Sequence, residues 1–315
     1  MKILVTFPMG EEYIRQIKAV RDDVELIFVR SREEQVEWIG EVDVIFGEAV
    51  SQDLFSTARR LRWVQVPSAG VDGLLSPEFV ESDVVLTSAK GYVGQHLAEQ
   101  AFALLLALTR GIARSVREQT WKNRWEIRSA AWELTDKTMG IVGFGGTGRE
   151  VAVRAQAFGM RILVVDPEEQ EKPDYVESIW KMDKFHELLS ESDVVCICAP
   201  LTPETEGMFD REAFRAMRRD AYLINITRGG IVDEEALLEA LRDGVIGGAG
   251  LDVTPQEPLP ADHPLWMMPN VVITPHVAGA SQLRIDRLVE LFCENLKRFL
   301  SGEPMLSVID KQKGY

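Results

Sequence analysis

A glycine-rich segment is the clearest chemical signal in the sequence. Gly143, Gly145 and Gly148 have the spacing G-x-G-x-x-G, directly after a short apolar strand and directly before the helical pattern of residues 149–158. Glycines in this arrangement allow a tight turn, let the backbone approach a pyrophosphate, and let the helix pack closely on the strand. The helix N-terminus then presents free N–H groups and a partial positive charge to the phosphates. The segment therefore predicts a dinucleotide-binding loop.

An aspartate ends the next strand of the pattern. Asp166 follows the apolar stretch 161–165, at the distance from the glycines that is expected of a carboxylate that binds the ribose hydroxyls. Such a carboxylate accepts hydrogen bonds from these hydroxyls and repels a 2′-phosphate. The residues that follow, Pro167, Glu168 and Glu169, offer no cation for that phosphate. We therefore predict NAD as the cofactor, with NADH favoured over NADPH.

Three further polar residues come soon after successive apolar stretches in the second half of the chain. They are Arg228, Glu257 and His276. Open α/β sheets bind their ligands beyond the carboxyl ends of the strands, and arginine suits a substrate carboxylate because its planar guanidinium donates two parallel hydrogen bonds. Each residue alone has an ordinary explanation, as a surface cation, a solvated acid or a turn cap, but together they favour oxidoreductase chemistry. No catalytic role is assigned to the other histidines, His96, His186 and His263.

Two series of short apolar strands must position these residues. Polar helical stretches separate the strands, which is the βαβ rhythm of parallel sheets covered on both faces. The first series comprises 3–7, 24–29, 42–46, 63–66 and 84–86, and the second comprises 140–143, 162–165, 194–198, 222–226, 248–251 and 271–274. The six strands of the second series match a dinucleotide-binding fold in number. We predict two doubly wound α/β domains with a boundary near residues 90–94.

Segments of another character flank the second series. Residues 97–109 form a leucine- and alanine-rich helical pattern that is apolar nearly all round, which indicates burial between domains or at a subunit contact. The next stretch, 118–132, carries tryptophans among charged residues and has no strand character. The chain closes on a pattern over 281–300 in which apolar residues recur at helical spacing.

Composition and charge exclude several classes of protein. Acidic residues number 50 and basic residues 35, a formal charge of −15 over 315 residues, so the chain lacks the cationic surface of a nucleic-acid binder. The longest strongly apolar run, 101–108, is far shorter than the roughly 20 residues that span a bilayer. Residues 1–7 are typical of an opening strand rather than of a signal peptide. Three cysteines supply neither a disulfide framework nor a four-ligand zinc site, so we predict a reduced, cytoplasmic protein without a metal.

The order of these motifs closely resembles that of the D-isomer-specific 2-hydroxyacid dehydrogenase family. The most specific stretch is Asn-x-x-Arg-Gly-Gly-Ile-Val-Asp-Glu over residues 225–234, with Leu-Asp-Val and Glu-Pro downstream. Other matching stretches are 68–72, 143–148, 251–258, 263–266 and 274–279. The resemblance covers essentially the whole chain.

The resemblance implies a Rossmann cofactor domain over residues 93–279, inserted into a flavodoxin-like substrate domain formed by 1–92 and 280–315. It also implies a homodimer through the 97–109 helix and the tryptophan-bearing segment. The activity implied is hydride transfer between a nicotinamide cofactor and C2 of a small 2-hydroxy acid. No membrane and no nucleic acid would take part.

Individual roles follow from the same resemblance. His276 would be the acid/base, Glu257 its partner and Arg228 the substrate anchor. Backbone N–H groups of a loop would bind the substrate carboxylate, and this loop comprises Ser68, Ala69 and Gly70. Asp252 would bind the carboxamide of the nicotinamide. The full set of expected cofactor contacts is Gly143, Gly145, Gly146, Thr147, Gly148, Asp166, Ala199, Pro200, Ile226, Thr227, Asp252 and His276.

Several related functions remain open on the sequence. Formate dehydrogenases of the same broad family pair the histidine with a glutamine, so Glu257 favours other branches. Phosphoglycerate dehydrogenases are a poorer match, because residues 47–50, Gly-Glu-Ala-Val, offer no cation for a substrate phosphate. A small 2-keto acid such as glyoxylate or hydroxypyruvate is therefore the expected substrate. The alternative from another class is an NADH-sensing binding protein or corepressor of the same fold, which would bind the nucleotide without turnover.

Overall fold

A computed structural model of the protein describes residues 1–48 and 51–315. The chain forms two compact units, and the first of them is discontinuous in sequence. The first unit comprises Met1–Val93 and Ser281–Tyr315, and the second comprises Gly94–Ala280. Each unit is built on a parallel sheet with helices on its faces.

The first unit contains a five-stranded parallel sheet of order β2-β1-β3-β4-β5. Its strands are β1 (Lys2–Val5), β2 (Glu25–Phe28), β3 (Val44–Phe46), β4 (Trp63–Gln65) and β5 (Val85–Thr87). Its helices are α1 (Glu11–Val20), α2 (Arg32–Trp38), α3 (Gln52–Phe55), α4 (Pro77–Glu81) and α12 (Arg284–Ser301). Consecutive residues of the central strands are buried, because helices cover both faces of a parallel sheet. The closing helix returns to this sheet, where Phe292 stacks on Phe46.

The second unit contains a seven-stranded parallel sheet of order β12-β11-β10-β9-β6-β7-β8. Its strands are β6 (Thr138–Val142), β7 (Arg161–Val165), β8 (Ser178–Trp180), β9 (Val194–Ile197), β10 (Tyr222–Asn225), β11 (Gly248–Leu251) and β12 (Val271–Ile273). Its helices are α5 (Gly94–Thr109), α6 (Ile112–Glu118), α7 (Arg124–Ala130), α8 (Gly146–Ala157), α9 (Phe185–Glu191), α10 (Arg211–Ala216) and α11 (Glu234–Arg242). The chain leaves β6 toward β7 and β8 and then resumes at β9 on the other side. The point between β6 and β9 is therefore the topological switch point, where open α/β sheets bind their ligands.

The strand β8 corrects the sequence prediction of six strands in this series. Its three residues, Ser178–Trp180, are half-buried at the edge of the sheet. An edge strand this short presents no continuous apolar run, so the pattern did not reveal it. The apolar segment 97–109 is helical as predicted, and as α5 it packs on α8 and on the strands β10, β11 and β12.

Short 3₁₀ turns complete the second unit at Met182–Lys184, Gly229–Ile231 and Pro264–Met267. Within the described ranges, the helices are all too short or too polar to cross a lipid bilayer.

Candidate active site

The predicted site residues of the second unit follow strands that end together at one edge of its sheet. The residues that stand level with one another across the sheet are, in order, Ile273, Leu251, Asn225, Ile197, Val142 and Val165. Because all these strands run parallel, the loops that follow them emerge on the same side. This carboxyl edge therefore brings together loops that are more than a hundred residues apart in sequence.

Gly143 turns the chain at the point where β6 ends. Its φ is +94°, and a β-carbon on it would lie 2.7 Å from the backbone nitrogen of Ala199. A β-carbon on Gly148 would lie 2.1 Å from the carbonyl oxygen of Gly143. In contrast, no atom of the described residues comes within 4 Å of the β-carbon position of Gly145. The outer glycines thus allow helix and strand to pack closely, while the middle one leaves space for a ligand.

Helix α8 begins directly on this loop. Gly145 is its N-cap residue and has no side chain that could accept from the N–H groups of the first turn. The helix is 12 residues long, and Gly146 and Thr147 form its first positions. A helix end of this kind presents N–H donors and a partial positive charge to an anion. The loop and helix together fit the pyrophosphate of a dinucleotide.

Asp166 is buried at the end of β7, where its carboxylate is tied to the glycine loop. Oδ2 accepts a hydrogen bond from the backbone N–H of Phe144 at 2.6 Å. Oδ1 accepts from the backbone N–H of Glu168 at 2.9 Å and from the side-chain amide of Gln170 at 3.3 Å. An ionised carboxylate has about four acceptor positions, so the group keeps capacity for a ribose hydroxyl.

Arg149 places a cation close to this carboxylate. Its guanidinium lies 4.7 Å from the centroid of the Phe144 ring and donates to Oε1 of Gln170 at 2.9 Å. Because Gln170 donates in turn to Asp166, the positive charge is two hydrogen bonds away from the carboxylate. Arg149 was not among the residues predicted from the sequence, because only the residues directly after Asp166 were expected to lie near a 2′-phosphate. Its position next to Gly148 in the motif was the available signal.

Arg228 is half-buried in the loop after β10, and a buried asparagine shapes that loop. Nδ2 of Asn225 donates to the carbonyl oxygen of Arg228 at 2.9 Å. Oδ1 of Asn225 accepts from the backbone N–H of Thr227 at 3.2 Å. The guanidinium itself donates to the carbonyl oxygen of Thr227 at 2.8 Å. The predicted anchor is thus carried on a loop that is closed by a side chain of the strand.

Glu257 and His276 are in direct contact. Nδ1 of His276 lies 2.6 Å from Oε2 of Glu257, and Oε1 of Glu257 accepts from the backbone N–H of Thr254 at 3.1 Å. Since an ionised carboxylate only accepts, Nδ1 carries the proton in this bond, and Nε2 is the nitrogen left for proton exchange. The side chains keep exposed fractions of 47% for His276 and 37% for Glu257. The pair is therefore held in place and open to a ligand.

A buried aspartate builds the turn that carries this histidine. Oδ1 of Asp252 accepts from Oγ1 of Thr274 at 2.5 Å and from the N–H of Val277 at 3.1 Å, and Oδ2 accepts from the N–H of Ala278 at 2.8 Å. The backbone N–H of His276 donates to the carbonyl oxygen of Asp252 at 2.8 Å. The φ of His276 is +51°, a left-handed conformation that is uncommon for residues other than glycine. Asp252 was expected to contact the nicotinamide, but its carboxylate oxygens accept three hydrogen bonds from this turn.

The remaining predicted cofactor contacts lie at the same edge in different environments. Ala199 and Ile226 are buried within the apolar clusters on the two faces of the sheet. Pro200 and Thr227 are half-buried, and the carbonyl oxygen of Pro200 accepts from Oγ1 of Thr205 at 2.7 Å. The side chain of Ile226 therefore belongs to the core, which leaves its backbone as the part that faces the edge.

The predicted carboxylate-binding loop belongs to the first unit and follows β4. Ser68, Ala69 and Gly70 are half-buried. Oγ of Ser68 donates to the carbonyl oxygen of Gly70 at 2.8 Å, and the carbonyl oxygen of Ser68 accepts from the N–H of Ala89 at 2.8 Å. The serine hydroxyl thus closes the loop on itself.

Comparison with known proteins identifies the family. Residues 102–278 match the sequence profile of the family described as "D-isomer specific 2-hydroxyacid dehydrogenase, NAD binding domain". A glyoxylate reductase from Korarchaeum cryptofilum is 39% identical over 272 residues, which are 84% of this chain and 81% of that protein. A D-3-phosphoglycerate dehydrogenase from Methanocaldococcus jannaschii is 32% identical over 98% of this chain, which spans 59% of that protein.

A solved structure agrees over the full length. The NADPH-dependent glyoxylate/hydroxypyruvate reductase from Sinorhizobium meliloti, in complex with NADP and sulfate, is 29% identical with a TM-score of 0.82. The match covers 100% of this chain and 99% of that one. The chain therefore belongs to the D-isomer specific 2-hydroxyacid dehydrogenase family, and it is an oxidoreductase that acts on 2-hydroxy acids.

Proposed function

We propose that the protein reduces a small 2-keto acid to the D-2-hydroxy acid with NADH, using His276 as the acid. The observation that carries this proposal is the contact of 2.6 Å between Nδ1 of His276 and Oε2 of Glu257. This contact occupies Nδ1 and leaves Nε2 for proton transfer. The histidine lies on a turn with a left-handed backbone, at the carboxyl edge of the sheet. Arg228 follows the strand β10, two places along that edge from β12.

The chain's own residues handle the proton and the charge of the substrate. The nicotinamide ring, when bound, supplies the hydride that reaches the keto carbon. His276 donates the proton from Nε2 to the oxygen of that carbon, and the Glu257 carboxylate holds the imidazole in position through its bond to Nδ1. Arg228 binds the substrate carboxylate and stabilises the negative charge that develops on the carbonyl oxygen. In the oxidative direction Nε2 accepts the proton instead.

The loop of Ser68, Ala69 and Gly70 in the first unit is the other predicted contact with the substrate. We assign the backbone N–H groups of Ser68, Ala69 and Gly70 to the substrate carboxylate. The hydrogen bond between Ser68 and Gly70 supports this assignment, because it keeps the loop in one conformation. On this basis residues 1–92 and 280–315 form the substrate domain, and residues 93–279 form the cofactor domain.

The preference for NADH rests on the end of β7. Asp166 is only 6% exposed and is fixed by the Phe144 N–H, so it cannot turn away from a 2′-phosphate. The loop adds Glu169, which is exposed. The positive charge of Arg149 acts in the opposite direction, because it reduces the repulsion between Asp166 and a 2′-phosphate. We expect discrimination against NADPH that is clear but not absolute.

A small keto acid is the substrate that we favour. A relative named glyoxylate reductase is 39% identical over 84% of this chain, and the 29% identical Sinorhizobium meliloti enzyme is named a glyoxylate/hydroxypyruvate reductase, so the two names support glyoxylate and hydroxypyruvate. Residues 47–50, which offer no cation for a substrate phosphate, include Ala49 and Val50, and these two lie outside the described residues.

The test is NADH consumption with a panel of 2-keto acids, run beside NADPH. Glyoxylate, hydroxypyruvate, pyruvate, oxaloacetate and phenylpyruvate form the panel, and His276→Ala is the control. We expect turnover with NADH that falls by about 10²–10⁴-fold in His276→Ala, which should still bind NADH. Near-normal turnover in that variant would disprove the role of His276. Tight binding of NADH without turnover on any acid would favour the sensor alternative.

We also propose a homodimer in the cytoplasm. The segment after α5 exposes 84% of Trp121 and 66% of Trp125, which is unusual for side chains of this size in a free surface. Cys196 in β9 and Cys198 directly after it support a reducing compartment, since both are thiols, with sulfur atoms 3.7 Å apart. Light scattering on the wild type and on a Trp121→Glu, Trp125→Glu variant measures the particle mass. A wild-type mass of about 35 kDa would contradict the dimer.

A further inference from the structure

A second histidine–carboxylate pair lies behind the loops that carry Arg228 and Glu257. Nε2 of His263 is 3.1 Å from Oε1 of Glu234, which is in the first turn of α11. Nδ1 of His263 accepts a hydrogen bond from the backbone N–H of Leu265 at 3.4 Å. Because Nδ1 accepts, the imidazole proton lies on Nε2 and is donated to Glu234. Both ring nitrogens are therefore used, and neither is directed at a substrate.

The second oxygen of Glu234 faces the interior. Oε2 is buried and accepts no hydrogen bond from the described residues. Glu234 lines a cavity of about 10 Å³. A cavity of this volume holds about one water molecule. A buried carboxylate oxygen requires a donor, and a water in this cavity would supply it.

The same cavity is lined by residues that hold the two catalytic loops. Asn225 donates to the carbonyl oxygen of Arg228, and Thr254 donates to the carboxylate of Glu257. Gly229 lines the cavity between them, and a β-carbon on it would lie 2.0 Å from the carbonyl carbon of Thr254. The two loops are thus in contact beside the cavity, and Glu234 lies at their joint.

His263 contacts the loop that carries Glu257 at Pro260, on the C-terminal side of Glu257. The carbonyl oxygen of Pro260 accepts from the backbone N–H of His263 at 3.1 Å and from Nε1 of Trp266 at 3.0 Å. Leu265, whose N–H donates to the imidazole, is buried and lines the cavity as well. The loop that carries Glu257 is therefore held at Thr254 on one side and at Pro260 on the other.

We propose that Glu234 and His263 are positioning residues for the reductase reaction, which act by fixing the joint of these two loops through one water bound to Oε2 of Glu234. The pair touches no reacting atom. It keeps Glu257 against His276 and keeps the Arg228 loop against Thr254. This inference rests on the proposed function, because it assigns the pair to that reaction.

The test compares truncating and conservative variants of the pair. Glu234→Ala and His263→Ala remove it, whereas Glu234→Gln retains an acceptor and His263→Gln retains a donor near the position of Nε2. We expect the alanine variants to lower kcat by roughly 10–100-fold, because displacement of a catalytic group by about 1 Å can cost about 10²-fold. The KM for NADH should change little, and the glutamine variants should recover most of the loss.

Hydrogen–deuterium exchange supplies a readout that needs no turnover. In the alanine variants the backbone amides of the 253–258 segment, which are those of Val253, Thr254, Gln256 and Glu257, should exchange faster than in the wild type. Glu235→Ala, on the exposed side of the same helix, and His186→Gln, on α9, are matched controls that should leave both readouts unchanged. Should an alanine variant fail to fold, its glutamine counterpart provides the comparison.

The outcomes separate this inference from the proposed function. A lower melting temperature with unchanged kcat and unchanged exchange of 253–258 would overturn it, because the pair would then only anchor α11. An absence of turnover in the wild type would refute the proposed function, whereas the exchange experiment would still decide whether the pair holds the loop.

Discussion

Replacement of Asp252 by asparagine should disable the histidine turn while leaving the shape of the side chain intact. In the wild type the carboxylate accepts from Thr274, Val277 and Ala278, and all three of these donors flank His276. An asparagine offers one oxygen in place of two. Whichever way its amide is oriented, the NH₂ group opposes the N–H of Val277 or that of Ala278. The turn therefore loses at least one acceptor and the negative charge.

The contacts of Asp252 determine how much stability and how much kcat the variant should lose. An N–H that loses its acceptor costs about 2 kcal/mol, and two remaining bonds that become neutral lose about 0.5 kcal/mol each, a total of about 3 kcal/mol. For a domain of this size that lowers the melting temperature by about 6–12 °C. The left-handed conformation of His276 costs about 2 kcal/mol, and the loss of about 3 kcal/mol from the bonds that hold the turn exceeds this cost, so the strain is no longer offset. The correct turn would then be populated about one thirtieth of the time, so kcat should fall about 30-fold.

The measurement combines thermal unfolding of the protein without nucleotide, the dissociation constant for NADH, and kcat at saturating NADH. Asp243→Asn, at the exposed end of α11, is the matched control for loss of one negative charge. If the main role of Asp252 is contact with the nicotinamide carboxamide, NADH binding weakens and the melting temperature without nucleotide is unchanged. That result would refute the argument from the turn.

Three other predictions concern separate parts of the second and first units. Gly148→Ala should abolish NADH binding and destabilise the protein, because its β-carbon would lie 2.1 Å from the carbonyl oxygen of Gly143; wild-type affinity in calorimetry would contradict this. Arg149→Gln should weaken NADPH binding about fivefold more than NADH binding, and an equal loss for both would show that its charge does not reach the 2′ position. Burial raises the pKa of the Cys293 thiol to about 11, so its alkylation at pH 8 should be about 200-fold slower than that of a free thiol. The stability contributed by this buried neutral thiol should be retained below about pH 9 and lost as pH rises toward 11, and Cys293→Ser should remove that part of the pH dependence.

Much of the fold could be predicted because parallel strands covered on both faces are continuous apolar runs. The strand β11 has the predicted bounds, and the other predicted strands differ by a residue or two at their ends. The strand β8 escaped because it is short, half-buried and at the edge. The segment 118–132 was expected only to lack strands, whereas residues Arg124–Ala130 form a helix. Its tryptophans and charges have no clear helical periodicity, so the sequence pattern could not indicate it.

The residues of the proposed site could be named from the sequence, whereas the contacts between them could not. A histidine, a glutamate and an arginine after successive strands can be read from the order of the sequence. That Asp252 accepts from residues more than twenty positions later depends on a backbone turn that has no sequence pattern. His263 received no role because a lone histidine after a loop is ordinary, and only its contact with Glu234 distinguishes it.

At the carboxyl edge of the second sheet, buried polar residues at the strand ends hold the loops, and more accessible residues in the loops are proposed to meet the substrate. Asn225 and Asp252 are each 1% exposed, and their side chains bond to the backbone of the loops that carry Arg228 and His276. Loss of such a bond should displace a group of the proposed site regardless of which acid is bound, so Asp252→Asn should lower kcat by the same factor across the panel of keto acids. Arg228→Lys changes the group that meets the substrate, since lysine lacks the planar pair of donors. It should therefore change the order of preference among the acids, and an unchanged order would place the choice of substrate elsewhere in the protein.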